Sequence, residues 1–312
     1  FSRITATLPA IAKKPSALEL VLRERRIKEY LAYGCGMQEQ RNYAFYDEPV
    51  IAQLAWPVTD ALELVNPVSA QAYRLVGSLL PHLCNNVIDN WHDAEQLRFF
   101  EWGRVWGSEP TSEHTAVAGL WYAKRGGLSF YALKEQIQTL CRIAHITPTW
   151  QHAQSPPVCF EQGLTAQLMV GETLLGYFGK VDALFAERMG ALPESILYAF
   201  ELDATFLQQT PVPAYQTEPL SKYQTSSFDV SALMPYEMTV AACEEKIQHC
   251  SPLIVAVRLI DFFEKKEWTD RRSLAFRVTI GSGDANLTRD EVENARQAVI
   301  TAVRAAGGEL RG

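Results

Sequence analysis

The sequence predicts an α+β protein made of two domains, and three observations carry this prediction. Residues 17–33 repeat apolar side chains at the period of an amphipathic helix. Residues 273–281 alternate apolar side chains with small or polar ones, as a strand with one buried face does. Residues 208–220 contain three prolines and show no periodicity, which is typical of a linker. A chain of 312 residues is long enough for two domains with separate cores.

The first domain, residues 1–207, is predicted to open with the helix at 17–33. Ser16 and Glu19 have the spacing of a capping box at its start, and Gly34 is suited to end it. The apolar residues that recur near the helical period in this segment are Leu18, Val21, Leu22, Tyr30 and Leu31.

An extended segment at 37–48 is predicted to follow, and then a helix over 71–90 that is entered through a turn at Asn66-Pro67. The aromatic-rich segment 97–106 suits a buried strand pair bent at Gly103. The rest of this domain is predicted to hold a strand at 117–123, a helix at 130–146, a hairpin at 164–181 that turns at Gly171-Glu172, a helix at 183–189 and a strand at 196–207.

The second domain, residues 221–312, has the element order βαββαβ, which is that of the ferredoxin-like plait. Its predicted elements are strands at 224–234, 254–264 and 273–281, helices at 237–250 and 288–306, and a short strand at 308–312. Thr288 and Glu291 form a capping box at the start of the second helix. Both helices of a plait cover one face of the sheet, so Arg277 is expected on the open face. That face is either a binding platform or an ordinary solvated surface.

Composition limits the kinds of function that fit. The formal net charge is −7, and acidic residues outnumber basic ones from Tyr215 onward. Non-specific nucleic-acid binding depends on a strong positive field, so any RNA contact must come from a local patch or a larger assembly. The six cysteines have no zinc-ligand spacing and fit a reducing cytoplasm, and no metal site is predicted. No apolar run is long enough to cross a membrane.

Catalytic motifs are also missing from the sequence. It contains no phosphate-binding P-loop, no dinucleotide-binding glycine pattern and no nucleophile elbow. No histidine has a second histidine four residues away, and the acidic residues do not form an evident acid–base pair. We therefore predict no catalytic residue in this chain. Because the chain begins at Phe1, we also expect it to be a piece of a longer protein.

Several segments, taken in order, resemble the C-terminal half of the β subunit of bacterial phenylalanyl-tRNA synthetase. In the first domain these are ATLPA at 6–10, RIKEYLAYGCGMQEQRNYAF at 26–45, NPVSAQAYRLVGSLLPHL at 66–83, LRFFEWGRVW at 97–106, FYALKEQIQTL at 130–140 and FELDATFL at 200–207. In the second domain, SKY at 221–223, SLAFRVTIGS at 273–282 and LTRDEVENA at 287–295 resemble the ferredoxin-fold anticodon-binding domain of that subunit. Each segment alone is weak, and their shared order makes the resemblance strong.

The resemblance implies a fold and a role. The first domain would be an antiparallel sheet with helices of the class II synthetase type, without catalytic residues, and the second an anticodon-binding plait. The family works as an (αβ)₂ heterotetramer in the cytoplasm, in which the α subunit holds the active site for ATP and phenylalanine. This chain would then be part of phenylalanine–tRNA ligase, docking the α subunit and contacting tRNA-Phe. ATP and Mg²⁺ would be used by the whole synthetase, with no cofactor bound by this fragment.

The first domain departs from what class II adenylation requires. That chemistry needs arginines that grip phosphates, one of them in an Arg-x-Glu pair. Arg98 precedes two phenylalanines and does not form this pair with Glu101. Val76 stands where the family usually has an arginine, and Arg74 is two residues earlier, about 200° around the predicted helix. We therefore expect Arg74 to have no phosphate role and residues 69–90 to form a packing and interface helix.

The second domain departs from the family pattern as well. Gln224 replaces a usual proline, and Phe228 stands before Asp229 where arginine is usual, so this strand loses positive charge. The departures leave a second hypothesis open, namely a synthetase paralogue that acts as a regulatory or adaptor protein without charging tRNA. The remaining candidates for tRNA contact are Lys222, Tyr223, Arg258, Arg271, Arg272 and Arg277.

Overall fold

The architecture is that of a computed structural model, which describes residues 18–58, 60–109, 111–212, 222–265 and 267–310. The chain divides into two compact units, Phe1–Ala214 and Tyr215–Gly312. Ser16, residues 6–10 and most of the predicted linker at 208–220 lie outside the described residues.

The helices and strands of the described residues are numbered in chain order. The helices are α1 (Leu18–Glu29), α2 (Glu48–Leu54), α3 (Leu80–Asn90), α4 (Phe130–Ile143), α5 (Ala183–Met189), α6 (Ala204–Gln209), α7 (Val240–Gln248) and α8 (Arg289–Ala305). The strands are β1 (Gln38–Gln40), β2 (Gln96–Val105), β3 (His114–Ala123), β4 (Thr149–His152), β5 (Phe160–Val170), β6 (Thr173–Val181), β7 (Ile196–Asp203), β8 (Ser226–Pro235), β9 (Ile254–Phe263), β10 (Arg271–Ile280) and β11 (Glu309–Leu310).

The larger unit is built on a seven-stranded sheet in the order β1-β2-β3-β7-β6-β5-β4. Strand β1 runs parallel to β2, and each of the other neighbouring pairs is antiparallel. The expected α+β class, with an antiparallel sheet and helices, is confirmed. The hairpin of β5 and β6 turns at Gly171, as predicted, where a φ of 60° suits glycine.

Alternate residues of this sheet face two separate cores. The front face, which carries Phe99 and Leu120, packs against apolar side chains of α2, α3 and α5. The back face, which carries Phe100 and Trp121, packs against α1, α4 and α6. Both faces of the central strands are therefore buried, and β3 is almost continuously apolar as a consequence.

The helix predicted at 71–90 is shorter than expected. It begins only at Leu80, because Pro81 occupies one of the first two helical positions, where proline is tolerated. Residues 72–76 instead form irregular bridges to earlier segments, with Arg74 opposite Glu63 and Leu75 opposite Phe45. Arg74 is thus not on a helix, and the helical position predicted for it is wrong.

Three other predictions for the larger unit need correction. The segment 97–106 is one continuous strand rather than a bent pair, and Gly103 lies against Leu79, which a Cβ at this position would approach to 3.0 Å. The strand predicted at 196–207 ends at Asp203, whose side chain caps α6 by accepting the Phe206 N–H. The first two residues of the predicted linker therefore continue this helix. The extended segment at 37–48 contains only the short β1 before α2 begins.

The smaller unit has the predicted plait. Its sheet has the order β11-β8-β10-β9, with neighbouring strands antiparallel. Leu274, Phe276, Val278 and Ile280 are buried against α7 and α8, as their alternation predicts. The capping box of Thr288 and Glu291 is present at the start of α8. Strand β9 carries two bulges against β10, at Val255 and Ile260.

Candidate functional site

Two glutamates lie on the front face of the larger sheet, Glu101 buried and Glu201 partly buried. Glu101 on β2 is opposite Ala118 on β3, and Ala118 is opposite Glu201 on β7. The two carboxylates therefore occupy one cross-strand row. Since neighbouring strands are about 4.8 Å apart, the backbones that carry them are separated by roughly 10 Å.

Glu101 holds the segment that follows β1. Its two carboxylate oxygens accept hydrogen bonds from the backbone N–H and the side-chain amide of Asn42, each at 2.8 Å. Burial raises the pKa of Glu101, and the two bonds from Asn42 oppose this shift by favouring the charged form. The carboxylate is thus a structural anchor for the chain before α2.

Glu201 holds the segment that enters α3. It accepts hydrogen bonds from the Ser78 hydroxyl and the Leu79 N–H, both at 2.7 Å. Burial raises the pKa of Glu201 to about 7, although both bonds favour the charged form. The hydroxyl of Tyr46 fixes the same segment by accepting the N–H groups of Gly77 and Ser78 at 2.9 Å.

A cavity of about 370 Å³ lies beside Glu201 on this face. Its walls include the rings of Tyr46, Trp56 and Trp106, and Asp60 contributes a second carboxylate. Apolar side chains of α2, α3 and α5 cover much of the rest of the front face.

The arginines of the segments that resemble class II motifs contact groups other than Glu101 and Glu201. Arg98 donates to the Cys35 carbonyl at 3.2 Å, which places it with the back face rather than beside Glu101. Arg104 pairs with Glu113 at 3.1 Å. Arg74 forms ion pairs with Glu48 at 2.9 Å and Glu63 at 3.0 Å and lies over the Tyr73 ring. Each guanidinium thus contacts another group of the same chain, Arg104 at the surface.

The helix α1 exposes an apolar surface at its start. Leu18 is 69% exposed and Val21 is 56% exposed, and Leu22 and Leu20 are also on the surface. The buried side of the helix is formed by Arg23 and Ile27, continued by Leu31 in the π-helical turn that follows. The sequence pattern identified the helix, but Leu18, Val21 and Leu22 do not face the core of this unit.

The open face of the smaller sheet carries two of the predicted tRNA-binding residues side by side. Arg277 on β10 is directly opposite Arg258 on β9 and Asp229 on β8. Both carboxylate oxygens of Asp229 accept hydrogen bonds from Arg277 at 2.8 Å. These bonds lower the pKa of Asp229 and raise that of Arg277. The charge of Arg277 is therefore neutralised within the sheet, while Arg258 is exposed.

The other four candidates lie toward the two ends of this sheet. Lys222 is exposed and Tyr223 is partly buried, both just before β8. At the opposite end of β10, Arg271 pairs with Glu309 at 2.6 Å. Arg272 donates to the Met238 carbonyl at 2.9 Å and lies over the Tyr236 ring. Arg271 is about 20 Å along the strand from Arg277, so the six residues do not form one cluster.

Glu201 is the residue that the sequence analysis missed. A signal was present, because Glu201 is the one acidic residue between Tyr198 and Leu202 in a strand otherwise lined by buried apolar side chains. Its partners Ser78 and Leu79 are more than a hundred residues away in sequence, so their identity could not be predicted.

Two kinds of feature are absent from the described residues. Among them, no helix is both long enough and apolar enough to cross a membrane. The same residues contain no group of three or more His, Cys, Asp or Glu side chains placed to hold a metal ion.

Comparison with known proteins identifies similar sequences along nearly the whole chain. Residues 4–204 match the family model described as the phenylalanyl tRNA synthetase beta chain CLM domain, and residues 221–311 match the ferredoxin-fold anticodon binding domain. The phenylalanine–tRNA ligase beta subunit of Geobacillus kaustophilus is 24% identical over 100% of this chain and 40% of the relative. That of Anaeromyxobacter dehalogenans is 28% identical over 100% of this chain and 41% of the relative.

The chain thus spans about 40% of the length of these curated relatives. Among solved structures, pyrrolysyl-tRNA synthetase from Desulfitobacterium hafniense aligns with a TM-score of 0.49 and 14% identity, over 60% of this chain and 67% of that chain.

Proposed function

The chain belongs to the phenylalanyl-tRNA synthetase β-chain family, and from this premise we propose that it acts as part of phenylalanine–tRNA ligase in the charging of tRNA with phenylalanine. The observation that carries the proposal is the succession of two family matches, the β-chain domain at 4–204 and the anticodon-binding domain at 221–311. The names of the relatives, which are ligase beta subunits, support it. The setting of this activity is the cytoplasm.

In this proposal the larger unit is a scaffold and contributes no catalytic group. The covering of the front face supports this role, since helices α2, α3 and α5 pack over much of the surface of β2, β3 and β7. The pairing of Arg98 and Arg74 within the chain supports it as well, because phosphate binding needs guanidinium groups that are free to approach the ligand. ATP and Mg²⁺ are used by the whole ligase and are not held by this fragment.

The partner of the larger unit is the ligase α subunit in an (αβ)₂ heterotetramer. The exposed Leu18, Val21 and Leu22 of α1 supply an apolar contact surface of the kind that protein interfaces bury. Affinity capture of the cognate α subunit by this chain tests the docking. A stable complex is expected, and the absence of a complex between two folded proteins would exclude this function for the larger unit.

The smaller unit contacts tRNA-Phe through the open face of its sheet. Arg258 is an exposed cation on that face, Lys222 is an exposed cation just before β8, and Arg277 is held by Asp229. Filter binding of tRNA-Phe at two salt concentrations tests this contact, because affinity from phosphate contacts falls steeply with salt. Specific retention of tRNA-Phe over another tRNA is expected. Loss of all specific retention would favour a synthetase paralogue that acts as an adaptor.

A further inference from the structure

The cavity beside Glu201 has walls that the scaffold role of the larger unit does not require. Its volume of about 370 Å³ falls in the range of small-molecule sites, which is about 300–1,000 Å³. Three aromatic side chains, Tyr46, Trp56 and Trp106, contribute to the wall. Trp56 and Tyr46 are buried and Trp106 is partly buried, so the rings form a fixed apolar surface.

The charged residues of the cavity are all acidic. Among the described residues that line it, Asp60 and Glu201 carry carboxylates, and none is a lysine, arginine or histidine. Asp60 is exposed at the surface, whereas Glu201 lies deep in the sheet and is accessible only in part. A ligand that entered would pass one carboxylate and meet the second at the sheet.

Glu201 retains hydrogen-bonding capacity toward a ligand. A carboxylate offers about four lone-pair sites, and among the described residues the donors that reach Glu201 are the Ser78 hydroxyl and the Leu79 N–H. The remaining sites suit a cationic N–H donor, since charge-assisted bonds are about twice as strong as neutral ones. Aromatic faces also attract cations.

We propose that this cavity binds a small organic ammonium cation, with the ammonium group on Glu201 and an apolar body between the rings of Trp56 and Trp106. The acidic lining and the aromatic walls together select a positively charged head with an apolar tail. Anions are disfavoured because none of the described residues that line the cavity is a lysine, arginine or histidine. The inference does not depend on the proposed ligase function, because it rests only on the residues that line the cavity.

Three probes of similar shape and different charge test the proposal: benzylammonium, benzyl alcohol and benzoate. Each is titrated against the whole chain at pH 8, where Glu201 is largely ionised, and tryptophan fluorescence and calorimetry report binding. Benzylammonium is expected to saturate and to bind at least about tenfold more tightly than benzyl alcohol. Benzoate is expected not to bind. Equal affinities for the three probes, or no saturation by benzylammonium, would overturn the proposal.

Matched variants locate the binding. Glu201→Gln should weaken benzylammonium binding about tenfold or more. Glu101→Gln is the control, because Glu101 lies in the same row and holds a loop in the same way but does not line the cavity. The affinity of the Glu101→Gln variant for benzylammonium should stay within about threefold of that of the unmodified chain. Equal losses of benzylammonium affinity in the two variants would show that the substitutions disturbed the segments covering the front face and not the cavity itself.

A second pair of variants keeps the test decisive if Glu201→Gln does not fold. Asp60→Asn changes an exposed carboxylate at the cavity, and Trp106→Leu removes one partly exposed wall. Both should weaken benzylammonium binding while thermal unfolding shows a folded protein. Unchanged affinity in both variants would place the probe elsewhere and overturn the assignment.

Discussion

Glu101 and Glu201 lie in the same cross-strand row of the larger sheet, with Ala118 of β3 between them. Each carboxylate fixes a different segment of the layer that covers the front face, Glu101 through Asn42 and Glu201 through Ser78 and Leu79. Burial raises both pKa values, so the attachment of this layer depends on acids that are costly to ionise.

The first prediction concerns the pH dependence of stability. The pKa of Glu201 is about 7 in the folded protein against an ordinary value of 4.5, so the folded state binds this proton more tightly than the unfolded state. The stability that protonated Glu201 contributes is therefore fully present below pH 4.5 and is lost as the pH rises through about 7. The loss is on the order of 3 kcal/mol.

The measurement is urea unfolding of the unmodified chain and Glu201→Gln between pH 4.5 and 8. The difference in unfolding free energy between the unmodified chain and the variant should shrink as pH rises across this window. The glutamine amide does not titrate, so it shifts this difference by the same amount at every pH and does not alter its pH dependence. The charged neighbours that act on Glu201 are Glu101, which raises its pKa, and His114, which lowers it. Parallel pH profiles for the two proteins would contradict the prediction.

The second prediction concerns Arg23, which is 4% exposed and joins α1 to the end of α6. Its guanidinium donates to the carbonyls of Leu207 and Thr210 and to Glu19. Arg23→Met keeps the length of the side chain but leaves buried carbonyls without a donor. The free energy of unfolding should fall by about 1.5–3 kcal/mol, measured in urea.

The control for this variant is Arg25→Met, two positions along the same helix. Arg25 is exposed and pairs with Glu29 at 2.8 Å across one helical turn. Exposed pairs of this kind contribute little to stability, so the urea midpoint should hardly move. Similar midpoints for the two variants would show that the buried contacts of Arg23 are not stabilising.

The third prediction concerns Asp229, which neutralises Arg277 on the open face of the smaller sheet. Asp229→Asn removes the negative charge and frees Arg277 for phosphate contact. Affinity for tRNA-Phe should rise, and the slope of log affinity against log salt should steepen by about 1. Filter binding over a salt series gives both quantities.

Arg258→Ala provides the opposite arm of the same experiment. Arg258 is directly opposite Arg277 and is exposed, so its removal should lower tRNA affinity and make the salt slope shallower by about 1. If neither variant changes retention of tRNA-Phe, the sheet face is a solvated surface and not a binding platform.

The fourth prediction concerns the exposed start of α1. Leu18→Asp places a charge in the proposed contact with the α subunit, and an acidic residue in the first turn of a helix does not disfavour folding. Capture of the α subunit should be lost or strongly weakened. The matched control is Leu184→Asp, since Leu184 is 65% exposed, against 69% for Leu18, and also lies in the first turn of a helix. Equal capture by both variants would remove α1 from the interface.

The parts of the fold that follow from local pattern were predictable from the sequence. Strand β10 alternates strictly from Leu274 to Ile280, and Thr288 with Glu291 specifies the start of α8 within four residues. The β5–β6 hairpin depends on a turn at Gly171, which needs a positive φ. In each case the information and the structure lie within one short segment.

The errors arose where distant contacts decide the conformation. Residues 72–76 continue an apparently helical pattern, yet their backbone is drawn to Phe45 and Glu63 by bridges that no local pattern specifies. Gly103 resembles a bend and instead makes room for Leu79. Helical periodicity located α1 but could not tell whether Leu18 and Val21 face the core or the surface.

Some features of the candidate sites could likewise be predicted from local pattern, and others depend on distant contacts. The open face of the plait and the place of Arg277 on it follow from alternation, whereas the pairing with Asp229 depends on the register of β8 against β10. The anchoring role of Glu201 required knowledge of the loop that reaches it.

The two bulges of β9 give the smaller unit a safeguard at high concentration. This strand forms an edge of the sheet, and it carries the exposed side chains of Phe262 and Phe263. A regular, apolar edge would offer a template for cross-β growth. The register shifts at Val255 and Ile260 interrupt the regular spacing of its amide groups, so an incoming strand would not find a continuous ladder to extend. We therefore expect this edge to disfavour fibril growth despite its exposed phenylalanines.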